Sequence, residues 1–313
     1  MTIFLSESDV AALLDMDEVI RAVEEAFRQE GMGGAVNHMR TRTRSASSVL
    51  NVMHATSPYL SRGGLKAYMS SRSGTKFLVV LFDEADSAPL AVMGADMLGR
   101  YRTGAASGVA TKHLYRKSTG SVAICGTGRQ ALTQALALDS VMDVQGFRVW
   151  SPNRDHRRAF TKSLEDRGLQ ATAADSPWEA SKGADVVSTV TSSKAPFLDE
   201  KMLDSVAHVN LCGGNVPEHA EITAGGVGCF DAIVVDDLAQ AKAEYGDLIQ
   251  AARAGSFSWD SAVELGSVVA GSKEQTGKTL FKSGGAALED VAVANLVYEK
   301  ARSHGHYVDF SFF

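Results

Sequence analysis

"SVAICGTGRQALTQALALDS", residues 121–140, is the stretch that decides how this chain is read. Ser121 to Cys125 is apolar and β-prone, Gly126 and Gly128 follow at once, and alanine and leucine then recur at helical spacing. A strand, a glycine turn and a helix in that order make the cofactor end of a dinucleotide-binding fold. Gly126 forms the tight turn, Gly128 leaves room for backbone to approach a pyrophosphate, and the small Ala131 lets helix and strand close on each other. The start of the helix presents N–H groups and a positive dipole end to the phosphates. Thr127, Arg129 and Gln130 complete the turn and are expected at the cofactor with the two glycines and Ala131.

Downstream, apolar β-prone runs alternate with helical ones: "GFRVWS", a charged helix from Arg154 to Arg167, "LQATAA", "ADVVSTV", "AHVNLC" and "AIVVDD". This alternation predicts an α/β chain with a Rossmann-type, doubly wound parallel sheet. Upstream the texture differs. Ser6 to Arg28 reads as one or two helices capped by Ser6, and Val49 to Met93 as short strands of an antiparallel sheet with a hairpin turn at Asp83–Ser87. Asp96 to Tyr115 reads as a small-residue helix, and Gly284 to Ser303 returns to a long helical pattern. The nucleotide fold, residues 118–283, is therefore expected as an insertion into an α+β domain made of residues 1–117 and 284–313.

Length fits about two domains. A net charge of -6 over 313 residues, with no basic block, argues against nucleic acid or an anionic membrane as partner and for a small molecule. Cys125, Cys212 and Cys229 lack C-x-x-C spacing, so neither a disulfide framework nor a metal site is expected, and a reducing cytoplasm is the simplest location. No run approaches the length of a membrane span.

At the end of the second strand of the nucleotide fold, "VWSPNRD" places Ser151, Asn153 and Arg154 where an NAD-binding protein carries a ribose-gripping carboxylate. The first acid, Asp155, falls inside the next helix. NAD or NADP is expected, with a lean to NADP because nothing here repels a 2'-phosphate and Arg154 can pair with one.

With the turn "GTGRQA", "RTGAASGVATKHL" (102–114), "ADVVSTVTSSKAPFL" (184–198) and "FKSGGAALEDVAVANLVYEKA" (281–301), the chain resembles the ornithine cyclodeaminase/mu-crystallin family over nearly its full length. The resemblance implies a homodimer whose first domain carries the subunit contact and most substrate contacts, and NAD(P) chemistry on small amino or imino acids. Matching of motifs assigns the substrate carboxylate to Arg40 in "HMRTRT", Lys66 in "GLKAYMS" and Arg102 in "YRTGAAS", though Arg42 and Arg44 leave the register of Arg40 open. It also brings Thr191 and Ser283 to the cofactor, with Ser283 or Gly284 close to the ring, and gives Lys282 and Asp290 a structural or nicotinamide-side role.

Two positions depart from the cyclodeaminase pattern. "LNVMHA" has Asn51 where those enzymes have glutamate, and "LCGGNVPEHAE" has Asn215 where they have aspartate. An amide orients an amine but takes no proton at neutral pH. The residues thus point to an NAD(P)-dependent oxidoreductase that moves a hydride to or from the α carbon of a small amino or imino acid. Lys66 is its proton donor, Asn215 its nitrogen-orienting group, and His54 an alternative acid or base. Two other readings stand beside it: an ornithine cyclodeaminase using NAD catalytically, and an NADPH-dependent binding protein with little turnover.

Overall fold

Ser6 caps the first helix, as the sequence predicts. Its side chain accepts from the Asp9 N–H at 3.2 Å and Asp9 accepts from the Ser6 N–H at 2.8 Å, so two donors left over at the helix start are satisfied reciprocally. The computed structural model describes residues 1–305 and 307–312. It begins with strand β1 (Thr2–Leu5), helix α1 (Glu7–Leu13) and helix α2 (Met16–Gly31), the last capped by Asp15. The helical stretch expected from 6 to 28 is thus two helices.

The strands β2 (Val36–Arg44), β3 (Ser48–Ser57), β4 (Arg62–Ser71), β5 (Gly74–Asp83) and β6 (Pro89–Gly94) pair in sequence as an antiparallel meander. β1 then adds to β6 in parallel, which the sequence reading missed. Helix α3 (Asp96–Leu114) follows.

The nucleotide fold runs through β7 (Thr119–Cys125), α4 (Ala131–Val141), β8 (Asp143–Trp150), α5 (Arg154–Glu165), β9 (Ala171–Ala173), α6 (Pro177–Ser181), β10 (Val186–Thr189), β11 (His208–Leu211), α7 (Ala224–Val227) and β12 (Ala232–Val235). It continues through α8 (Leu238–Glu244), α9 (Gly246–Arg253), β13 (Ala262–Glu264), α10 (Leu265–Val269) and β14 (Thr279–Lys282). The chain then forms α11 (Ala287–His304) and β15 (Val308–Phe310), which pairs antiparallel with β1.

Two compact units result, Met1–Arg102 with Gly285–Phe313, and Thr103–Gly284. The first division falls inside α3, earlier than the 117/118 boundary read from the sequence, which lies just beyond the end of that helix at Leu114. In the first unit α2 and α11 pack together, and α11 lies on the inner face of β2 to β5.

The second unit holds a sheet of order β13-β12-β14-β11-β10-β7-β8-β9 in which every pairing is parallel. β10, β11, β12 and β14 are buried at all four residues, as strands covered on both faces require. Strand order reverses at β7, between β8 and β10. The carboxyl ends of those strands are where an open α/β sheet binds its ligand. No helix among the described residues is long and apolar enough to cross a membrane.

Candidate active site

The glycine turn leaves the carboxyl end of β7 at this reversal. Gly126 has φ of +111°, and a Cβ there would lie 2.7 Å from the Val190 carbonyl oxygen, so only glycine fits. Gly128 is the opposite case: a Cβ would meet nothing within 4 Å. Side-chain space at Gly128 is therefore open toward the outside of the turn, the room a pyrophosphate needs. Ala131, the first residue of α4, is fully buried. The helix starts without a side-chain cap, which leaves leading N–H groups for an anion. Beside them the Gln130 Oε1 is buried with no hydrogen-bond partner, an acceptor waiting for a donor. Arg129 is exposed on the turn. These features fit a dinucleotide.

At the end of β8 the Thr127 hydroxyl donates to Ser151 Oγ at 3.0 Å, tying the turn to the ribose side. Ser151 Oγ donates in turn to the Asn153 carbonyl at 3.2 Å. Asn153 Oδ1 caps α5 by accepting from the Asp155 and His156 N–H groups, so this side chain sets the helix start. Arg154 stands exposed on the first turn.

Two hydroxyls expected at the cofactor donate to carboxylates. Thr191 donates from both N–H and Oγ1 to Glu221 Oε1, at 2.7 and 2.6 Å, and Ser283 Oγ donates to Asp236 Oδ2 at 2.9 Å. The Gly284 N–H reaches the same Asp236 oxygen.

A buried ionic network that the sequence reading missed braces the loop bearing Asn215. Lys282 Nζ pairs with Asp247 Oδ2 at 2.8 Å and donates to the Gly213 and Gly214 carbonyls at 3.0 and 3.1 Å. Glu221 Oε2 accepts from the Gly213 N–H at 3.0 Å. Burial first, and then the neighbouring Asp247, push the Glu221 carboxyl above its ordinary range, while Lys282 pulls the other way. Lys282 is raised although burial opposes it, because Asp247 and Glu221 outweigh that cost. Lys282 ends a strand that is buried at every residue, a position that demands a buried partner, but four residues did not announce that strand in the sequence.

In the first unit the expected cations do converge. Lys66 on β4 is 3% exposed and donates to both Asp290 oxygens, at 2.9 and 3.2 Å. Arg102 Nε donates to Asp290 Oδ1 at 3.0 Å and its Nη1 to Glu289 Oε2 at 3.1 Å. Arg40, buried beside a bulge in β2, donates to the Gly285 carbonyl at 3.4 Å. Glu289 and Asp290 stand in the first turn of α11, where negative charge suits the helix dipole. Gly285 must be glycine: its φ is +86° and a Cβ would overlap the Arg102 guanidinium. Asp290 is thus the carboxylate that holds Lys66 and Arg102.

Burial, and then the Arg102 charge, lower the Lys66 ammonium to about 8 despite Asp290. Burial works against Arg102 too, but Asp290 and Glu289 more than offset it and hold it above its ordinary value.

The register left open around Arg40 is settled by strand period. Past the bulge, Arg42 and Arg44 face Asn51 and Val49, so Arg40, Arg42 and Arg44 share the inner face of β2. Asn51 is buried on that face; its Oδ1 accepts from Arg42 Nε at 3.2 Å and its Nδ2 donates to the Val49 carbonyl. His54 fails as an acid or base for Lys66's neighbourhood. Lys66 pairs with Met53, whereas His54 pairs with Leu65 and stacks exposed on His38 at 4.7 Å, on the other face of the sheet.

A doubly wound parallel sheet with this glycine turn defines a dinucleotide-binding fold. The sequence profile of the ornithine cyclodeaminase/mu-crystallin family matches residues 1–305, and the chain belongs to that family. It is 33% identical to alanine dehydrogenase of Archaeoglobus fulgidus, over 96% of each chain. Among solved structures, the Delta(1)-pyrroline-2-carboxylate reductase of Thermococcus litoralis in complex with NADH and L-proline superposes with a TM-score of 0.92 at 29% identity, covering 99% of this chain and 100% of that one. An archaeal alanine dehydrogenase dimer with bound NAD gives 0.93 at 33% identity, covering 100% and 99%.

Proposed function

We propose that the protein reduces a small α-imino acid with NAD(P)H, or runs the reverse oxidation of the amino acid, and is not an ornithine cyclodeaminase. The observation that carries this reading is the buried group of Arg40, Lys66 and Arg102 against Glu289 and Asp290, with the amide of Asn51 beside it. These five charged side chains leave formally one positive charge, which one substrate carboxylate neutralises. A guanidinium fork with an ammonium beside it orients that carboxylate strongly because both are desolvated.

The bound dihydronicotinamide supplies a hydride to the imine carbon. The C=N π electrons pass to nitrogen, and Lys66 Nζ gives up the proton that completes the amine. Asp290 fixes the Nζ position by taking two of its contacts, and the lysine's lowered pKa makes the transfer easy near neutrality. Asn51 and Asn215 carry amides, which take no proton at neutral pH, so the ammonia-losing steps of a cyclodeaminase lack their bases.

Reduction needs Lys66 protonated. Its kcat/KM is therefore expected to fall as pH rises through about 8, while the oxidation rises over the same range. Lys66→Met should abolish this limb in a pH–rate profile. A limb that survives in the variant assigns the proton to another group.

Arg154, Ser151 and Asn153, with no carboxylate at the end of β8, favour NADPH as donor. A homodimer fits the outer face of the meander, where Leu50, Met69 and Leu78 are exposed together on neighbouring strands. The dimeric archaeal alanine dehydrogenase supports the same reading. Sedimentation equilibrium should give twice the chain mass, and a monomer at micromolar concentration contradicts the assignment. The unpaired Cys125, Cys212 and Cys229 suit a reducing cytoplasm.

A further inference from the structure

The structure assigns a second binding site to the nucleotide unit, centred on Arg148, for a small organic carboxylate. The site shares no residue with the substrate clamp or the glycine turn, and it stands whether or not the reductase reading holds.

Arg148 is a charged residue in the middle of strand β8, in "GFRVWS". Its neighbours Phe147 and Val149 are buried in a core with Leu138 of α4 and with Phe160 and Leu164 of α5. Strand period therefore turns Arg148 to the opposite face of the sheet. There it pairs with Ala123 on β7 and Thr172 on β9. That face is covered in part by α6, whose Ala180 shares a core cluster with Ala123.

The arginine is half-buried, and its Nε and Nη2 lie out of solvent without a hydrogen-bond partner. It forms no ion pair among the described residues. A donor taken out of water with nothing to accept it is costly, and a charged one more so, so a bound anion would remove a standing penalty.

Beside the guanidinium is a cavity of about 240 Å³, whose lining includes Arg148, Ser121, Gln145, Gly146, Gln170 and Thr172. Glycine makes the space. Gly146 stands two residues before Arg148, opposite Ser121 on β7, and a Cβ on it would meet no atom nearer than the Gln170 carbonyl oxygen at 3.9 Å.

Size, shape and charge set the ligand class. The cavity is smaller than the roughly 300 Å³ at which sites for drug-sized ligands begin, which excludes a nucleotide. One guanidinium offers a planar fork and a single positive charge, a match for a carboxylate. A phosphate group at neutral pH carries a charge closer to two. Its second charge would find no cation here: Asp185, which accepts from the Ser121 N–H at 3.0 Å, already takes Lys117 at 3.3 Å. The Gln145 and Gln170 amides and the Thr172 hydroxyl leave neutral groups for the rest of a polar acid.

The test follows the Nε–H resonance of Arg148 in the intact protein, labelled with nitrogen-15 arginine, during titration with acetate, inorganic phosphate or chloride at constant ionic strength. Loss of the resonance in Arg148→Met identifies it. It is expected to move saturably with acetate and to stay in place with chloride. In Gly146→Val, which fills the cavity but keeps the guanidinium, half-saturation should need at least about tenfold more acetate. Should that variant fail to fold, Gly146→Ala is expected to weaken binding in the same direction by less. Without any acid, Arg148→Met should unfold at the same temperature as the unmodified protein or higher, because an unpaired charge gives way to an apolar chain, with NADPH affinity and turnover unchanged. A structural arginine or a substrate contact would not allow this. A resonance that stays in place with every anion, moves equally with chloride as for an adventitious ion only, or responds to phosphate alone overturns the inference. So does a loss of stability or turnover in Arg148→Met, or an unchanged acetate titration in folded Gly146→Val.

Discussion

Replacing Arg102 by alanine is expected to lower kcat/KM for imine reduction by about ten- to a hundredfold while nucleotide affinity changes little, since a charge-assisted pair is worth about 1.5–3 kcal/mol. Arg102 is the member of the cation group whose direction is best fixed. Asp290 takes its Nε–H and Glu289 one Nη1–H, both at the N-terminal turn of α11, so the remaining donors keep a constant aim. The alanine would also take a buried cation from both Glu289 and Asp290, and breaking such a buried pair costs roughly 3–5 kcal/mol of stability. Arg102→Lys keeps the charge without the planar fork, and separates the two effects: it should remain folded yet recover little activity. If turnover survives in the alanine variant while NAD(P) binding weakens, Arg102 serves the cofactor and the substrate clamp is misassigned.

Gly128→Val acts on the other half of the reaction. Because a Cβ at Gly128 meets no protein atom within 4 Å, the variant should fold with nearly unchanged thermal stability. The added isopropyl group would occupy the space of the pyrophosphate, and overpacking of that kind costs about 1–3 kcal/mol or more, so nucleotide affinity should drop at least about tenfold. Gly126→Val gives the contrast. There the backbone is left-handed and Val190 leaves no space, so that variant should lose its fold along with its ligand. Unchanged NADPH affinity in folded Gly128→Val would remove the cofactor from this turn.

The nucleotide fold was legible because its central strands are buried on both faces and read as apolar runs, separated by helical stretches. β13 and β14 were not read: β14 hides in "TLFK" after a polar loop, and nothing in three or four residues tells a strand from a turn of helix. β1 and β15 were likewise too short to announce that they pair with each other and with β6. In the site, Lys66 and Arg102 could be named from motif, but not Glu289, whose role depends on where α11 begins relative to β4 and α3. Arg40 was open in the sequence because three arginines alternate. Alternation was itself the answer, since period two places all three on one face, and only the bulge after His38 fixes which face. His54 was misplaced by the same parity: one residue from Met53 in sequence, it lies across the sheet from Lys66.

The most direct test of the reductase reading follows the absorbance of reduced nicotinamide with purified protein, an imino acid and either NADPH or NADH, beside a parallel incubation with ornithine and NAD. The account predicts stoichiometric oxidation of the nicotinamide by the imine, faster with NADPH, and no ammonia from ornithine. Steady conversion of ornithine to proline and ammonia without net change in the nicotinamide, with imines left unreduced, would contradict it and make the protein a cyclodeaminase in spite of Asn51 and Asn215.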